Sequence, residues 1–125
     1  MSSVQEIQTN GLVSDTELGK SAITVKLLGS AETGAMQELD AFLRRVHGIV
    51  MDGKLPEVVI DVRALDFMNS SCFKTFVSWI GVVQELPPEQ QYKVRFVADD
   101  KKHWQSRSLG ALACFAVDLI RIENA

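Results

Sequence analysis

The sequence predicts an α/β domain with a single mixed, mostly parallel β-sheet and helices packed on it. In the second half of the chain, short apolar runs alternate with amphipathic stretches in the order strand, helix, strand, helix, strand. This order implies parallel strands joined by right-handed crossovers. Near the start, two segments alternate apolar and polar residues with a period of two, which is typical of half-buried strands. A hairpin at this end would make the sheet mixed.

The N-terminal part predicts a β-hairpin over residues 7–28. Its strands are residues 7–13 and residues 22–28, where apolar and polar side chains alternate. The polar residues 14–19 between them predict a turn or loop. Residues 1–5 are expected to be disordered.

The first helix is predicted over residues 34–51, because its apolar residues recur at steps of three and four. Asp52 and Gly53 are expected to end it, with the glycine in the usual C-terminal position. Residues 58–62 form a β-branched run interrupted only by Asp61. Such a short apolar run predicts a central strand buried on both faces.

Four further elements complete the predicted fold. After a brief loop, a second helix covers residues 70–85 and is ended by two consecutive prolines. A strand follows at residues 93–98, then a helix at residues 104–115 and a last strand at residues 119–122. We expect one domain over residues 1–125, since this length suits one domain and not two.

The composition excludes several classes of protein. Hydrophobic residues make up 46% of the chain and charged residues 23%, which is an ordinary globular balance. The net charge of −3 does not suggest a nucleic-acid-binding protein. No apolar run reaches the roughly 18 residues that span a bilayer, and the first residues lack a secretory signal pattern. Two cysteines, Cys72 and Cys114, form neither a disulfide framework nor a zinc site. We expect a cytoplasmic protein without metal or cofactor.

The segment after the central strand, residues 63–72, is the strongest candidate for a functional site. In open α/β sheets, ligands and partners meet the carboxyl ends of the strands. Asn69 or Ser70 is a natural N-cap for the second helix. A phosphate on Ser70 or Ser71 would lie near the free N–H groups and positive dipole end of that helix. The alternative is that Asn-Ser-Ser serves only as a helix cap.

Two stretches resemble a known family. Residues 59–71, VIDVRALDFMNSS, resemble the signature of STAS domains, the family of bacterial anti-sigma-factor antagonists and related modules. The order of elements over about residues 20–123 is similar to that family as well. Residues 103–109, HWQSRSL, resemble a bacterial STAS-like subgroup that has an N-terminal hairpin. The resemblance implies a STAS-like fold and a role in signal transduction through protein–protein interaction.

The resemblance also implies a phosphorylation site. In the antagonists, a partner kinase that is also the anti-sigma factor phosphorylates the serine corresponding to Ser71, and a phosphatase resets it. The unphosphorylated form binds the kinase, and the phosphorylated form releases it. This chain differs from the family pattern in having Asn69 in place of aspartate and Cys72 in place of glycine. Ser70 is the second candidate acceptor.

The resulting hypothesis is a non-catalytic regulatory module that docks a partner protein, a serine kinase or anti-sigma-factor-like ATPase. No catalytic residue is predicted, and neither nucleic acid nor membrane insertion is expected. The predicted partner-binding residues are Phe67, Met68, Asn69, Cys72, Lys74 and Trp104. Two alternatives are a constitutive assembly or transporter-accessory subunit, and a thiol-dependent enzyme that uses Cys72. Homodimerisation is left open.

Three residues outside this segment allow simpler interpretations. Trp79 is either an exposed interface anchor or a side chain packed at the helix edge. His47 is expected on the solvated edge of the first helix. Cys114, among apolar neighbours, is expected in the core.

Overall fold

The protein was examined as a computed structural model that describes residues 6–9 and 11–125. The prediction that residues 1–5 are disordered lies outside the described residues. The described strands are β1 (Gln8–Thr9), β2 (Leu12–Leu18), β3 (Ala22–Ala31), β4 (Glu57–Asp61), β5 (Leu65–Met68), β6 (Lys93–Ala98) and β7 (Ile120–Asn124). The helices are α1 (Met36–Gly53), α2 (Ser70–Gln84) and α3 (His103–Phe115), with single 3-10 turns at Thr33–Ala35 and Pro88–Gln90.

The strands form one mixed sheet in the order β1-β2-β3-β4-β6-β7. The pairs β1–β2 and β2–β3 are antiparallel, and the pairs β3–β4, β4–β6 and β6–β7 are parallel. β5 lies outside this order and pairs in parallel with the end of β3. The predicted α/β fold class, a mixed and mostly parallel sheet with helices packed on it, is confirmed.

One face of the sheet belongs to the hydrophobic core that the helices share. Ile23, Val58, Val94 and Ile120 lie side by side across four strands, and all are buried. They join apolar residues of α1 and α2 in one cluster. The residues that alternate with them, such as Lys26, are more exposed. The opposite face carries polar side chains at β3 and β6, but at β4 it is buried as well, at Val59 and Asp61. The prediction of a central strand buried on both faces is therefore confirmed.

The predicted turn at residues 14–19 is wrong, because β2 continues to Leu18. Leu12 and Ser14 both point toward the core and are buried. Ser14 is tolerated there because its hydroxyl accepts a hydrogen bond from the Ile7 N–H at 2.7 Å and donates one to Glu6 at 2.8 Å. The strand-to-strand turn comes later, between β2 and β3.

The end of α1 also differs from the prediction. The helix includes Gly53, and Lys54 takes the left-handed conformation with a φ of 52°. The N–H of Leu55 donates to the carbonyl of Val50 at 3.0 Å, which satisfies a free carbonyl at the helix end. The glycine therefore lies one position before the residue that needs the special conformation.

β5 was not predicted, because residues 65–68 were assigned to a loop. It pairs with β3 beyond the stretch that β4 occupies, after an irregularity in register at Gly29. Gly29 has a φ of +96°, and a Cβ at this position would overlap the carbonyl oxygen of Gly11. Glycine is required there for both reasons. β5 carries the chain directly to the start of α2.

Candidate functional site

Asn69 fixes the start of α2. Its backbone is extended, and its side-chain oxygen accepts a hydrogen bond from the N–H of Cys72 at 2.9 Å. This is the N-cap geometry that the sequence suggested for Asn69 or Ser70. The Asn69 amide nitrogen also donates to the hydroxyl oxygen of Thr33 at 2.6 Å, and its backbone N–H donates to the carbonyl of Ala31 at 2.8 Å. The helix start is therefore tied to the end of β3.

The contact with Thr33 was missed by sequence reasoning. Thr33 lies 36 positions before Asn69, and no local pattern links the two residues. Only the pairing of β5 with the end of β3 brings them together. The loop after β3 therefore borders the candidate site.

Ser70 and Ser71 are the first two residues of α2. Ser70 is exposed and Ser71 is half-buried. Within the described part of the chain, neither hydroxyl takes part in a hydrogen bond, whereas the Ser71 carbonyl accepts one from Thr75 at 3.3 Å. Both residues belong to the first helical turn, whose N–H groups have no partner within an α-helix. Here the N–H groups of Cys72 and Phe73 bond to Asn69.

Cys72 is fully buried, although it was among the predicted partner-binding residues. Its thiol donates to the carbonyl of Glu32 at 3.3 Å. Burial raises the pKa of the thiol above its ordinary value, so the thiolate is disfavoured. In this structure Cys72 contributes a structural contact below the surface, and a partner could not touch it.

The exposed residues around the helix start form a small continuous patch along the chain. Phe67 is 45% exposed, which is unusual for a phenylalanine, and Lys74 is exposed one turn into α2. Met68 and Asn69 are half-buried. We use the name α2-start surface for Phe67, Ser70, Ser71 and Lys74.

Trp104, the remaining predicted partner-binding residue, lies in the first turn of α3 and packs partly against the core. It is half-buried at the start of α3, between Lys102 and Gln105. Lys102 donates to the carbonyl of Arg63 at 2.8 Å and lies 3.8 Å from a carboxylate oxygen of Asp66. The start of α3 therefore contacts the segment that leads into and along the first part of β5, through Lys102.

Gln105 is a buried residue whose role the sequence did not reveal. Its amide nitrogen donates to the carbonyls of Val62 at 2.6 Å and Leu65 at 3.0 Å. Its amide oxygen accepts from the N–H of Asp99 at 2.9 Å. One side chain thus connects the end of β4, the start of β5 and the end of β6. A glutamine at a helix start gives no sequence signal for such a role.

Asp61 and Arg63 stabilise the turn between β4 and β5. The Asp61 carboxylate is buried and accepts hydrogen bonds from the Arg63 backbone at 3.0 Å and from its guanidinium at 2.8 and 3.1 Å. Burial alone would raise the pKa of Asp61, but the hydrogen bonds and positive charge of Arg63 outweigh it and lower the pKa. Asp61 is a structural carboxylate here.

The second half of α2 contains a buried polar chain. The Trp79 indole N–H donates to the Tyr92 hydroxyl at 2.8 Å, and that hydroxyl lies 2.8 Å from Nδ1 of His47. Trp79 is 5% exposed, so it is not an exposed anchor. His47 is half-buried beside a cavity of about 230 Å³ between α1 and α2, not on a solvated edge. Burial lowers the pKa of His47 and raises that of Tyr92.

The prediction for Cys114 is wrong, because this residue is exposed. α3 buries Gln105, Leu109 and Leu112, which share one face of the helix. Cys114 lies off that face, so its apolar neighbours in sequence are not its neighbours in the core.

Two further properties concern the described residues as a group. In residues 6–9 and 11–125, no set of three or more His, Cys, Asp or Glu side chains is arranged to hold a metal ion. Across the same residues, the helices are too short or too polar to cross a bilayer.

Comparison with known proteins identifies the fold. An anti-sigma factor antagonist from Mycobacterium paratuberculosis superposes with a TM-score of 0.65 at 17% identity, over 93% of this chain and 88% of the other. SpoIIAA in its unphosphorylated form gives 0.60 at 11% identity, over 87% and 86%. The Bacillus cell fate determinant SpoIIAA in its phosphorylated form gives 0.54 at 12% identity, over 87% and 89%.

The chain has the STAS fold of the anti-sigma-factor antagonists. The similarity predicted from VIDVRALDFMNSS is thereby confirmed at the level of fold. No protein-family model matches the sequence, and no curated protein sequence matches it significantly. In this STAS fold, the α2-start surface lies at the helix start that follows β4 and β5.

Proposed function

We propose that this chain is a non-catalytic regulatory module that binds a partner protein through the α2-start surface and is controlled by phosphorylation of Ser71, with Ser70 as the second acceptor. The observation that carries the proposal is the pair of serines in the first turn of α2, whose hydroxyls are not engaged elsewhere in the described residues. The backbone that holds them is fixed by the Asn69 cap. A kinase would meet a hydroxyl on a rigid, accessible helix end.

A phosphate at this position would be stabilised by its surroundings. It would add a charge of about −1.5 to −2 next to the N–H groups of Ser70 and Ser71, because those of Cys72 and Phe73 already bond to Asn69. Lys74 lies three residues after Ser71 and four after Ser70, and both spacings bring side chains together on a helix. Asn69 is uncharged, so the N-cap adds no carboxylate to repel the phosphate. Phosphorylation would therefore change the surface without breaking the fold.

The partner is proposed to be a serine kinase of the anti-sigma-factor-like ATPase type, with a phosphatase that removes the phosphate. Fold similarity to anti-sigma factor antagonists supports this class of partner. The structure of one of these proteins, SpoIIAA, is known both with and without phosphorylation. This supports the proposal that a protein of this fold can be controlled by phosphorylation. We place this exchange in the bacterial cytoplasm.

Phe67 is proposed as the apolar anchor of the interface. It is a large aromatic side chain exposed beside two serines and a lysine. Aromatic residues surrounded by polar neighbours dominate the binding energy of many interfaces. The kinase would cover Phe67 in the complex, and a phosphate beside it would oppose the contact by charge and hydration.

The test is phosphorylation of the full chain by a cognate serine kinase, followed by mass spectrometry and binding measurements. We expect Ser71→Ala to lose the modification, while Ser78→Ala, an exposed serine on the same helix, keeps it. Ser71→Asp should bind the kinase at least tenfold more weakly than the wild type. Full modification of Ser71→Ala at a site other than Ser70, or unchanged binding by Ser71→Asp, would contradict the proposal.

A constitutive assembly or transporter-accessory subunit is the second candidate. The observation in its favour is that Cys72 and Asn69 lock the helix start to the loop after β3, which a permanent interface would also need. A complex that survives phosphorylation unchanged would favour this candidate. The thiol-enzyme alternative has no such support, because the Cys72 thiol is buried and its pKa is raised.

A further inference from the structure

Among residues 6–9 and 11–125, β7 is an edge strand whose outer backbone groups pair with no other strand. The N–H of Val94 donates to the carbonyl of Leu119, and the N–H of Ala125 donates to the carbonyl of Ala98. In a parallel pair, alternate residues therefore face β6. The backbone groups of Ile122 and Asn124 point away from the sheet, together with the carbonyl of Ile120, whose N–H is bonded to Ala116.

The opposite end of the sheet is β1, which has only two residues, so β7 with five residues offers the longer terminal edge. Along β2, the N–H of Ser14 donates to the carbonyl of Ile7 at 3.1 Å. The N–H of Thr16 donates to the carboxylate of Glu6 at 2.8 Å. The residues before β2 thus occupy hydrogen-bonding positions along β2. Among the described residues, β7 ends the sheet order with no strand on its outer side.

The sequence of β7 is complementary to itself in one antiparallel register. If two copies pair about Ile122, the outward groups of Ile122 bond each other, and each Asn124 N–H meets the carbonyl of the other copy's Ile120. Arg121 of one copy then lies directly opposite Glu123 of the other, on the polar face of the sheet. Both side chains are exposed. Such a non-hydrogen-bonded pair brings the side chains close together.

We propose that the chain forms a two-fold symmetric homodimer by antiparallel pairing of β7 with β7. The two sheets become one continuous sheet, and two Arg121–Glu123 pairs form across the junction. A symmetric interface of this kind uses the same patch on both copies. β7 is separated from β3 by β4 and β6, and β5 pairs with β3. The dimer therefore leaves the two α2-start surfaces far apart. This proposal does not depend on the proposed function.

The test is sedimentation of the full chain over a range of concentrations. The wild type should pass from a 13.8 kDa monomer to a species of twice that mass. Arg121→Glu turns both attractive pairs into repulsive ones, and we expect the dissociation constant of the dimer to rise about tenfold or more. Arg107→Glu makes the same charge change on an exposed part of α3 and should leave the dimer intact.

A mixture of variants gives the decisive readout. Arg121→Glu and Glu123→Arg chains should each dimerise poorly, but together they should form heterodimers, since opposite charges then meet again. Circular dichroism checks that each variant is folded, which matters for Glu123 because it also bonds Arg95 at 2.6 Å. A wild type that stays monomeric at every accessible concentration, or a dimer indifferent to Arg121→Glu, would overturn the proposal.

Discussion

The two ends of α2 use polar side chains in opposite ways. At the N-terminal end, Asn69 and Cys72 hold the backbone in place, while the hydroxyls of the exposed Ser70 and half-buried Ser71 have no partners in the described chain. In the second half, the polar atoms of Trp79 are buried and paired. One end leaves hydroxyl groups without bonds in the described chain, and the other uses polar atoms to join α1, α2 and Tyr92, the residue before β6. The two halves of one helix therefore use polar side chains differently.

The buried chain at the second end has a defined direction. Because the Trp79 indole can only donate, the Tyr92 oxygen accepts from it. The Tyr92 hydroxyl proton then has Nδ1 of His47 as its acceptor. We assign neutral His47 with its proton on Nε2, since this tautomer alone lets all three groups bond. Protonation of Nδ1 would remove the acceptor that Tyr92 uses.

The largest effect is expected from Trp79→Ala. Truncating a buried tryptophan leaves a cavity and an unpaired Tyr92 hydroxyl, so the free energy of unfolding should fall by about 3–5 kcal/mol. Urea unfolding followed by circular dichroism measures this. Trp104→Ala is the matched control, because Trp104 is half-buried and its indole N–H has no partner in residues 6–9 and 11–125. An equal decrease in the free energy of unfolding for the two variants would contradict a special role of the hydrogen-bonded Trp79.

A smaller effect is expected from Asn69→Ala. Loss of an N-cap should lower the free energy of unfolding by about 1 kcal/mol, whereas Asn69→Asp should keep the cap and cost less. Ser70→Ala, which removes a hydroxyl without a partner in the described chain, should be close to neutral. The same urea titration measures all three variants. If Ser70→Ala costs as much as Asn69→Ala, the helix start is not organised by its cap.

The smallest effect is the pH dependence that His47 contributes. Its pKa is below the ordinary 6.5 because of burial, so the unfolded chain binds more protons than the folded one as the pH falls. Stability should therefore begin to decrease near pH 6.5 and level off below the lowered pKa. The lowered pKa of Asp61 acts at more acidic pH, through loss of its own charge.

The measurement for His47 is the free energy of unfolding at a series of pH values between about 7.5 and 5.5. His47→Gln should flatten this profile. His103→Gln is the matched control, since the chain has two histidines and His103 is exposed. A profile that flattens only with His103→Gln would show that the Trp79–Tyr92–His47 chain does not sense protonation.

Local patterns were sufficient for the parts of the fold that depend on near neighbours. The extent of α2 and the cap at Asn69 follow from side chains within a few positions of each other. β5 and the Asn69–Thr33 bond depend on strand pairing across more than thirty residues, and no local pattern carries that information.

The misplaced side chains show where helix periodicity loses precision. The apolar spacing of α2 predicts a buried stripe, and Phe76, Ile80 and Val83 of that stripe are buried. Phe73 and Val77 are only half-buried, and Cys72 and Trp79 are buried instead, so the buried face is rotated slightly. A rotation of this size determines whether Trp79 is exposed as an interface anchor or buried in the core. The polar partner of Trp79 is Tyr92, in the segment before β6, and Tyr92 in turn bonds His47 of α1. The sequence of α2 specifies neither residue.

The three hydrogen bonds of Gln105 have a consequence for the speed of recognition. They hold the ends of β4, β5 and β6 in fixed relation, so β5 delivers Phe67 and the first turn of α2 already in place. Binding of a partner would therefore cost little conformational entropy in this chain. Variants of the α2-start surface should then share similar association rates and differ in how long the complex lasts.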